Sequence, residues 1–301
     1  MNEVIYPNGL SREGWLKLIE ERKNHFYRYP DNADQKIWRY MDFTKFVALL
    51  EGKSLFFPRA TLLDDQYEGS VSQETIKKLY QTGEKMIESF KKGIPDGKFT
   101  IDKQDAFRSN FDSFAKWQSE SRRWSRDWTY ISCWHMNDYE SAAMWSLYAT
   151  SNQAIAIQST FKRLYDCLLP HVVPPKAEPK LGIVYYIDYN NQMVSNDASL
   201  SEYFYKRKSF QHETELRAVI QELPFKNGKT INDLIGQEDE DYDKKPITGK
   251  SLNVDIENLI EQIYVAPTSP EWFFNLTKKM LDRYGLNKPV QRSSLDNDPV
   301  F

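Results

Sequence analysis

Only two cysteines, Cys133 and Cys167, occur in 301 residues, too few for a disulfide framework, so free thiols are expected. The four histidines, His25, His135, His171 and His212, are scattered without metal-ligand spacing. No apolar run approaches the roughly 18 residues that a membrane-spanning helix needs. Residues 1–10 carry neither the basic nor the apolar region of a secretory signal. A cytoplasmic chain without membrane attachment is therefore expected. Neither sign of charge dominates: Lys+Arg 40 against Asp+Glu 43 leaves a formal net charge of −3. That balance disfavours a generic nucleic-acid binder, which carries a broad basic excess. The sequence also lacks GxGxxG, a P-loop, GxSxG, HExxH and paired CxxC. Standard dinucleotide folds, P-loop NTPases, serine hydrolases and zinc proteases are thereby disfavoured.

What the chain has in abundance is aromatic side chains, at 14% of residues, with Trp 8, Tyr 18 and Phe 17. Rings of this number bury large areas and argue for an ordered body over most of the length. Ser11 is placed to cap a first helix carrying Trp15, Leu16, Leu18 and Ile19. An extended run at 37–40 is followed by Asp42 as an N-cap, with Phe43, Phe46, Val47 and Leu50 at helical spacing. Gly52 stands where a left-handed C-terminal cap is wanted, and 54–57 forms a second strand halted by Pro58. Residues 70–127 are strongly amphiphilic and predict two helices, 70–92 and 103–126, as an insertion or cap. Strands are predicted at 128–133, 154–158, 183–186, 215–221 and 263–265. Helices are predicted at 141–149, 161–168, around 201–208 and at 271–284. The glycine-broken, acidic stretch 226–255 reads as a solvated loop and 294–301 as a flexible tail. Short strands mixed with helices, without strict alternation, predict an α+β fold: a single mixed sheet partly covered by helices, in one domain.

Four constellations are candidates for chemistry. Arg39, between Trp38 and Tyr40 on a predicted strand, is able to clamp a phosphate while a ring stacks on a base; an ordinary amphipathic strand explains it equally well. Asp64, Asp65 and Glu68 place three carboxylates within five positions, enough for Mg or Mn binding, although a turn and helix start require the same residues. Trp145 and Tyr148 share a helix face, which fits core packing more readily than a ligand platform. Glu213, Glu215 and Arg217 alternate toward one face of a strand, an arrangement costly to bury without a purpose. A surface ion-pair network is the competing explanation.

The collinear set Trp38-Arg39-Tyr40, Leu50 to Phe57, Asp64/Asp65 with Glu68-Gly69, Ile131 to Trp134, Met144-Trp145 with Tyr148-Ala149, and His212-Glu213-x-Glu215-x-Arg217 resembles a widespread, largely bacterial family of unknown function, family 2971. Ile263 to Pro267 resembles that family's final strand and turn. The order of parts is also similar, more distantly, to ADP-ribosyltransferases. That resemblance implies Arg39 on the phosphates of NAD, with Tyr40, Trp145 and Arg217 around the cofactor. Tyr148 or Trp145 would stack on nicotinamide, Glu215 would support an oxocarbenium-like transition state, and Glu213 would orient the acceptor. A defence or toxin context goes with it. Two other classes remain open. One is a metal-dependent nuclease or nucleotide-processing enzyme, with Arg122, Arg123 and Arg126 contacting nucleic acid beside Trp117, Trp124 and Trp128. The other is a non-catalytic sensor or adaptor.

Overall fold

The structure is a computed structural model that describes residues 13, 14, 17, 21, 27–93, 100–149, 151–171, 179–195, 198–224 and 246–299. Ser11, Trp15, Leu16, Leu18 and Ile19 of the expected first helix, most of the acidic stretch, and the break between the two long helices lie outside them. In chain order the described strands are β1 (Lys36–Asp42), β2 (Ser54–Pro58), β3 (Thr129–Met136), β4 (Ala154–Thr160), β5 (Lys180–Ile183), β6 (Tyr185–Ile187), β7 (Tyr205–Arg207), β8 (Glu215–Gln221), β9 (Gly249–Asn253), β10 (Gln262–Val265) and β11 (Val290–Arg292). The helices are α1 (Phe43–Gly52), α2 (Gln73–Gly93), α3 (Ile101–Ser125), α4 (Ala142–Tyr148), α5 (Phe161–Leu168), α6 (Ile256–Leu259) and α7 (Glu271–Tyr284).

The fold is α+β, as the sequence predicts. Seven strands form one mixed sheet in the order β11-β10-β4-β1-β3-β8-β5. All neighbours are antiparallel except β10 and β11. Two smaller pairs, β2 with β9 and β6 with β7, flank it. One face of the large sheet carries Ile37, Met41, Tyr130, Trp134, Ile155, Ile157, Leu216 and Ala218. It is packed by α1, α5, α6, α7 and the β2–β9 pair through residues such as Phe46, Leu55, Phe161, Leu259 and Phe273. The opposite face carries Trp38, Tyr40, Ala154 and Ala156 under Met144 and Trp145 of α4. Farther along it carries Ile131 and Val219 under Tyr203 and Phe204. Covered on both faces, β4 is buried along its whole length and β8 from Glu215 to Ile220, polar residues included.

Local signals decide several boundaries. Asp42 caps α1 by accepting from the Lys45 amide at 2.9 Å. The left-handed residue at its end is Lys53, φ 42°, and not Gly52, which still lies in the helix. The helix expected around 201–208 is instead a 3₁₀ turn, Ser201–Phe204, the short strand β7, and a second 3₁₀ turn, Lys208–Glu213. The strand expected at 183–186 is divided at Val184 into β5 and β6. The end of the expected acidic loop, 249–253, is β9, drawn into register by β2 from Ser54↔Asn253 to Pro58↔Gly249. The expected tail begins as a 3₁₀ turn at Ser294–Asp296. It is tied down where Glu140 accepts from Ser293 Oγ at 2.6 Å and from the Ser294 amide at 2.5 Å.

Helices α2 and α3 pack as a hairpin. A Cβ at Gly83 would meet the tip of the Phe111 ring at 2.8 Å, so that helical glycine makes room for the ring between the two helices. Arg108 clamps Glu84 across the hairpin through two bonds of 3.1 and 3.0 Å.

Candidate functional site

Strand alternation and register fix which side chains can meet. In the β3–β8 pair Cys133 lies opposite Arg217 and His135 opposite Glu215, so these four share one face. Thr214 precedes β8 with φ 39°, a left-handed conformation unusual for a β-branched residue. That twist lets Glu213, which sits in a 3₁₀ turn rather than in the strand, reach Glu215. The two carboxyl groups are hydrogen-bonded to each other.

Around this pair stands a buried array of charges. Lys206 of β7 donates to Glu213 and, at 2.5 Å, to Glu215 Oε1. Arg217 Nε donates to Glu215 Oε2 at 2.5 Å. Its two Nη atoms grip Glu68 at 2.6 and 2.9 Å, and Nη1 also donates to the Tyr203 carbonyl at 2.6 Å. Arg217 is wholly buried, and Glu68, Lys206, Glu213 and Glu215 nearly so.

Three carboxyls face two cations, so one proton balances the cluster. Burial lifts Glu68 above the ordinary carboxylate value, with Arg217 pulling against it. Burial would also raise Glu215, but Arg217, the bond from Glu213 and Lys206 overcome it and hold the carboxyl well below that value. Glu213 has only a share of Lys206. Burial, then the bond and charge of Glu215, push it up to about 8. Glu213 therefore carries the proton near neutrality, hydrogen-bonded to an ionised Glu215.

Other groups border the pair. His135 Nδ1 lies 2.6 Å from the Glu213 carbonyl, which only accepts; this places the proton on Nδ1, and burial holds the imidazole below its ordinary pKa. The Tyr148 hydroxyl is raised by burial first and then by the charges of Glu213, Cys133, Glu215 and Asp64. Yet the residue as a whole is 44% exposed. Tyr67 and Phe210 continue the rim, with the Arg207 guanidinium 4.6 and 5.2 Å from their rings.

Of the residues singled out in the sequence, Glu213, Glu215 and Arg217 are brought together, and Tyr148 is close enough for its hydroxyl to feel the charge of the two carboxyls. Arg39 does not join them. It lies opposite Ile157 of β4 and bonds Ser132 of β3, positions that face the α1 side. It therefore stands on the other face of the sheet from the acidic pair, and the two cannot grip one ligand. Parity in the β1–β3 register is the reason: Trp38 pairs with His135, so Arg39 falls on the face of Trp134. Tyr40 and Trp145 do share the carboxyl face, but both are spent on the protein. The Tyr40 hydroxyl accepts from the Ser141 amide at 2.8 Å, and the Trp145 indole donates to Glu140 at 2.9 Å. Neither ring offers a free stacking surface.

The acidic turn is divided among cations. Asp64 is exposed, Asp65 pairs with Arg207 at 2.8 Å, and Glu68 belongs to Arg217. Asp65 also accepts from the Tyr67 amide at 3.0 Å, the bond of a turn. Among the described residues no group of three or more His, Cys, Asp or Glu is arranged to hold a metal ion. In the arginine-rich end of α3 only Arg123 is exposed, and Trp128 is buried in the wall of the sheet. Alternating exposed rings and cations are therefore not presented there. Among the described residues no helix is long and apolar enough to cross a membrane.

Sequence reasoning missed Lys206 as the shared cation and Glu68 as the partner of Arg217. Comparison with family models, with curated proteins and with solved structures finds no match to this chain.

Proposed function

We propose that the chain is an enzyme whose working group is Glu213, acting as general acid and base on a nucleotide-type ligand at the rim formed by Tyr148, Tyr67 and Phe210. The observation that carries this reading is a nearly buried carboxyl held protonated near neutrality against an ionised neighbour. Pairs of carboxyls whose surroundings drive their pKa values apart are how acid and base roles are divided in one site. Glu215, fixed at both oxygens, is a positioning residue. Lys206 stabilises Glu213 when it gives up its proton. The chemistry that fits is cleavage or transfer at a glycosidic bond, as in NAD-using transferases. At NAD the nicotinamide takes the bonding pair and leaves neutral without a proton, so there ionised Glu213 only removes the acceptor's proton as the new bond to the sugar carbon forms. At a neutral N- or O-glycoside Glu213 first passes its proton to the leaving atom and then takes the acceptor's proton back. Tyr148 and Tyr67, the exposed rings of that rim, supply surfaces for a base. Arg39 has no part in this reading.

The test is a stabilisation and turnover screen with NAD, ADP-ribose and other nucleotides on wild type, Tyr148→Ala and Glu213→Gln. Expected are a rise in melting temperature for wild type and loss of that rise in Tyr148→Ala, which removes the ring. A fall in turnover of about 100-fold or more is expected in Glu213→Gln. If wild type responds to no nucleotide and Glu213→Gln matches it in every consumption assay, the proposal is wrong.

A second reading, a non-catalytic sensor or adaptor, is favoured by the closure of the array: Lys206 and Arg217 neutralise the pair and little of it is exposed. On that reading Glu213→Gln changes stability alone.

A further inference from the structure

We infer that the sheet face opposite the carboxyl array carries a separate oxyanion site, built by Arg39, Ser132 and Trp134, that takes a phosphate or carboxylate group. Arg39 is half-buried and donates to Ser132 Oγ at 2.9 Å and to the Phe56 carbonyl at 2.8 Å. Both acceptors are neutral. Among the described residues no carboxylate pairs with it, whereas the buried cations Lys206 and Arg217 are each paired with carboxylates. Burial draws the guanidinium down to about 10, so it remains a cation at neutral pH without a counter-charge. A desolvated cation of this kind is costly unless an anion joins it.

Two further donors stand beside it. The Arg39 guanidinium lies 5.8 Å from the centre of the Trp134 ring. The indole N–H of that ring is buried with no acceptor. Ser132, wholly buried, accepts from Arg39 and keeps its own proton to give. Ser132 and Trp134 alternate on one face of β3, and Arg39 faces Trp134 across β1. The unpartnered Trp134 N–H, the hydroxyl proton of Ser132 and a guanidinium without a counter-charge, with no acidic group among them, define a site for a small oxyanion. Phe56, 45% exposed beside its bonded carbonyl, marks the solvent side.

The experiment uses the full chain and two probes, inorganic phosphate and acetate, with chloride at matched ionic strength as control. The readouts are the Trp134 indole resonance, assigned by its absence in Trp134→Phe, and the melting temperature. One probe is expected to give a saturable shift of that resonance and a rise in melting temperature, and which one does so identifies the group. Arg39→Met is expected to abolish both responses and Arg39→Lys, which keeps the charge but loses the fork, to weaken them. Trp134→Phe weakens the thermal response about tenfold in affinity, as loss of one bond to a charged group does. Glu213→Gln leaves binding unchanged, which separates this site from the acidic pair. No saturable response to either probe, or an equal response in Arg39→Met, overturns the inference.

Discussion

Arg217 and Glu68 are 149 residues apart in sequence and meet as a two-pronged pair, Nη1 to Oε1 at 2.6 Å and Nη2 to Oε2 at 2.9 Å. Neither touches solvent to any extent. This contact pins the turn at 64–69 onto β8 and fixes the guanidinium that in turn fixes Glu215. Removing the carboxylate leaves a buried cation short of a partner, which costs roughly 3–5 kcal/mol. Glu68→Gln is expected to lower stability by an amount in that range, read as a fall in the urea midpoint. A loss below about 0.5 kcal/mol would show that the pair is peripheral.

The protonated state of Glu213 has a signature in acid and base. A carboxyl whose pKa is higher folded than unfolded contributes most at low pH. It loses that contribution as pH rises from the ordinary carboxylate value of 4.5 through about 8. Glu215 has the opposite sign, since its value is lowered on folding, and its contribution is lost as pH falls below 4.5. Wild type compared with Glu213→Gln isolates the first effect. Stability relative to the variant should decline across pH 4.5–8 with a slope of at most about 1.4 kcal/mol per pH unit. A flat difference over that range would mean that Glu213 ionises normally.

Thr214 holds a left-handed backbone, φ 39°, between the two acidic residues. A β-branched residue pays for that conformation, and glycine does not. Thr214→Gly is expected to leave the site geometry in place and to raise stability by about 0.5–1 kcal/mol in thermal or urea unfolding. A destabilised variant would show that the Thr214 side chain contributes more than its backbone costs.

The thiols should be inert. Burial pushes Cys167 up to about 11 and Cys133 higher still. A thiolate is the species that reacts. Native protein at pH 8 is expected to show no iodoacetamide adduct by mass spectrometry on a timescale at which unfolded protein is fully alkylated.

Much of this was legible in the amino-acid order, and the parts that were not share a cause. Asp42, the apolar spacing from Phe43 to Leu50 and the stop at Pro58 each act within a few residues, so β1, α1 and β2 follow from local rules. The left-handed residue moved from Gly52 to Lys53 because a helix end is set by its last carbonyl bond, here Lys53 to Leu50 at 3.4 Å, and not by glycine alone. Alternation along β8 correctly put Glu215 and Arg217 on one side. It is silent on how β8 aligns with β1 and β3, and that alignment is what sends Arg39 to the far face. Lys206 escaped notice because 201–208 has helical composition, whereas the chain there forms a short strand beside β6.

Strand β3 is a shared partition. Ser132 and Trp134 point to one side while Cys133 and His135 point to the other, with a single thickness of backbone between them. Shortening or slipping this strand by one residue would exchange the two linings wholesale, handing imidazole and thiol to the guanidinium side and indole and hydroxyl to the acidic side.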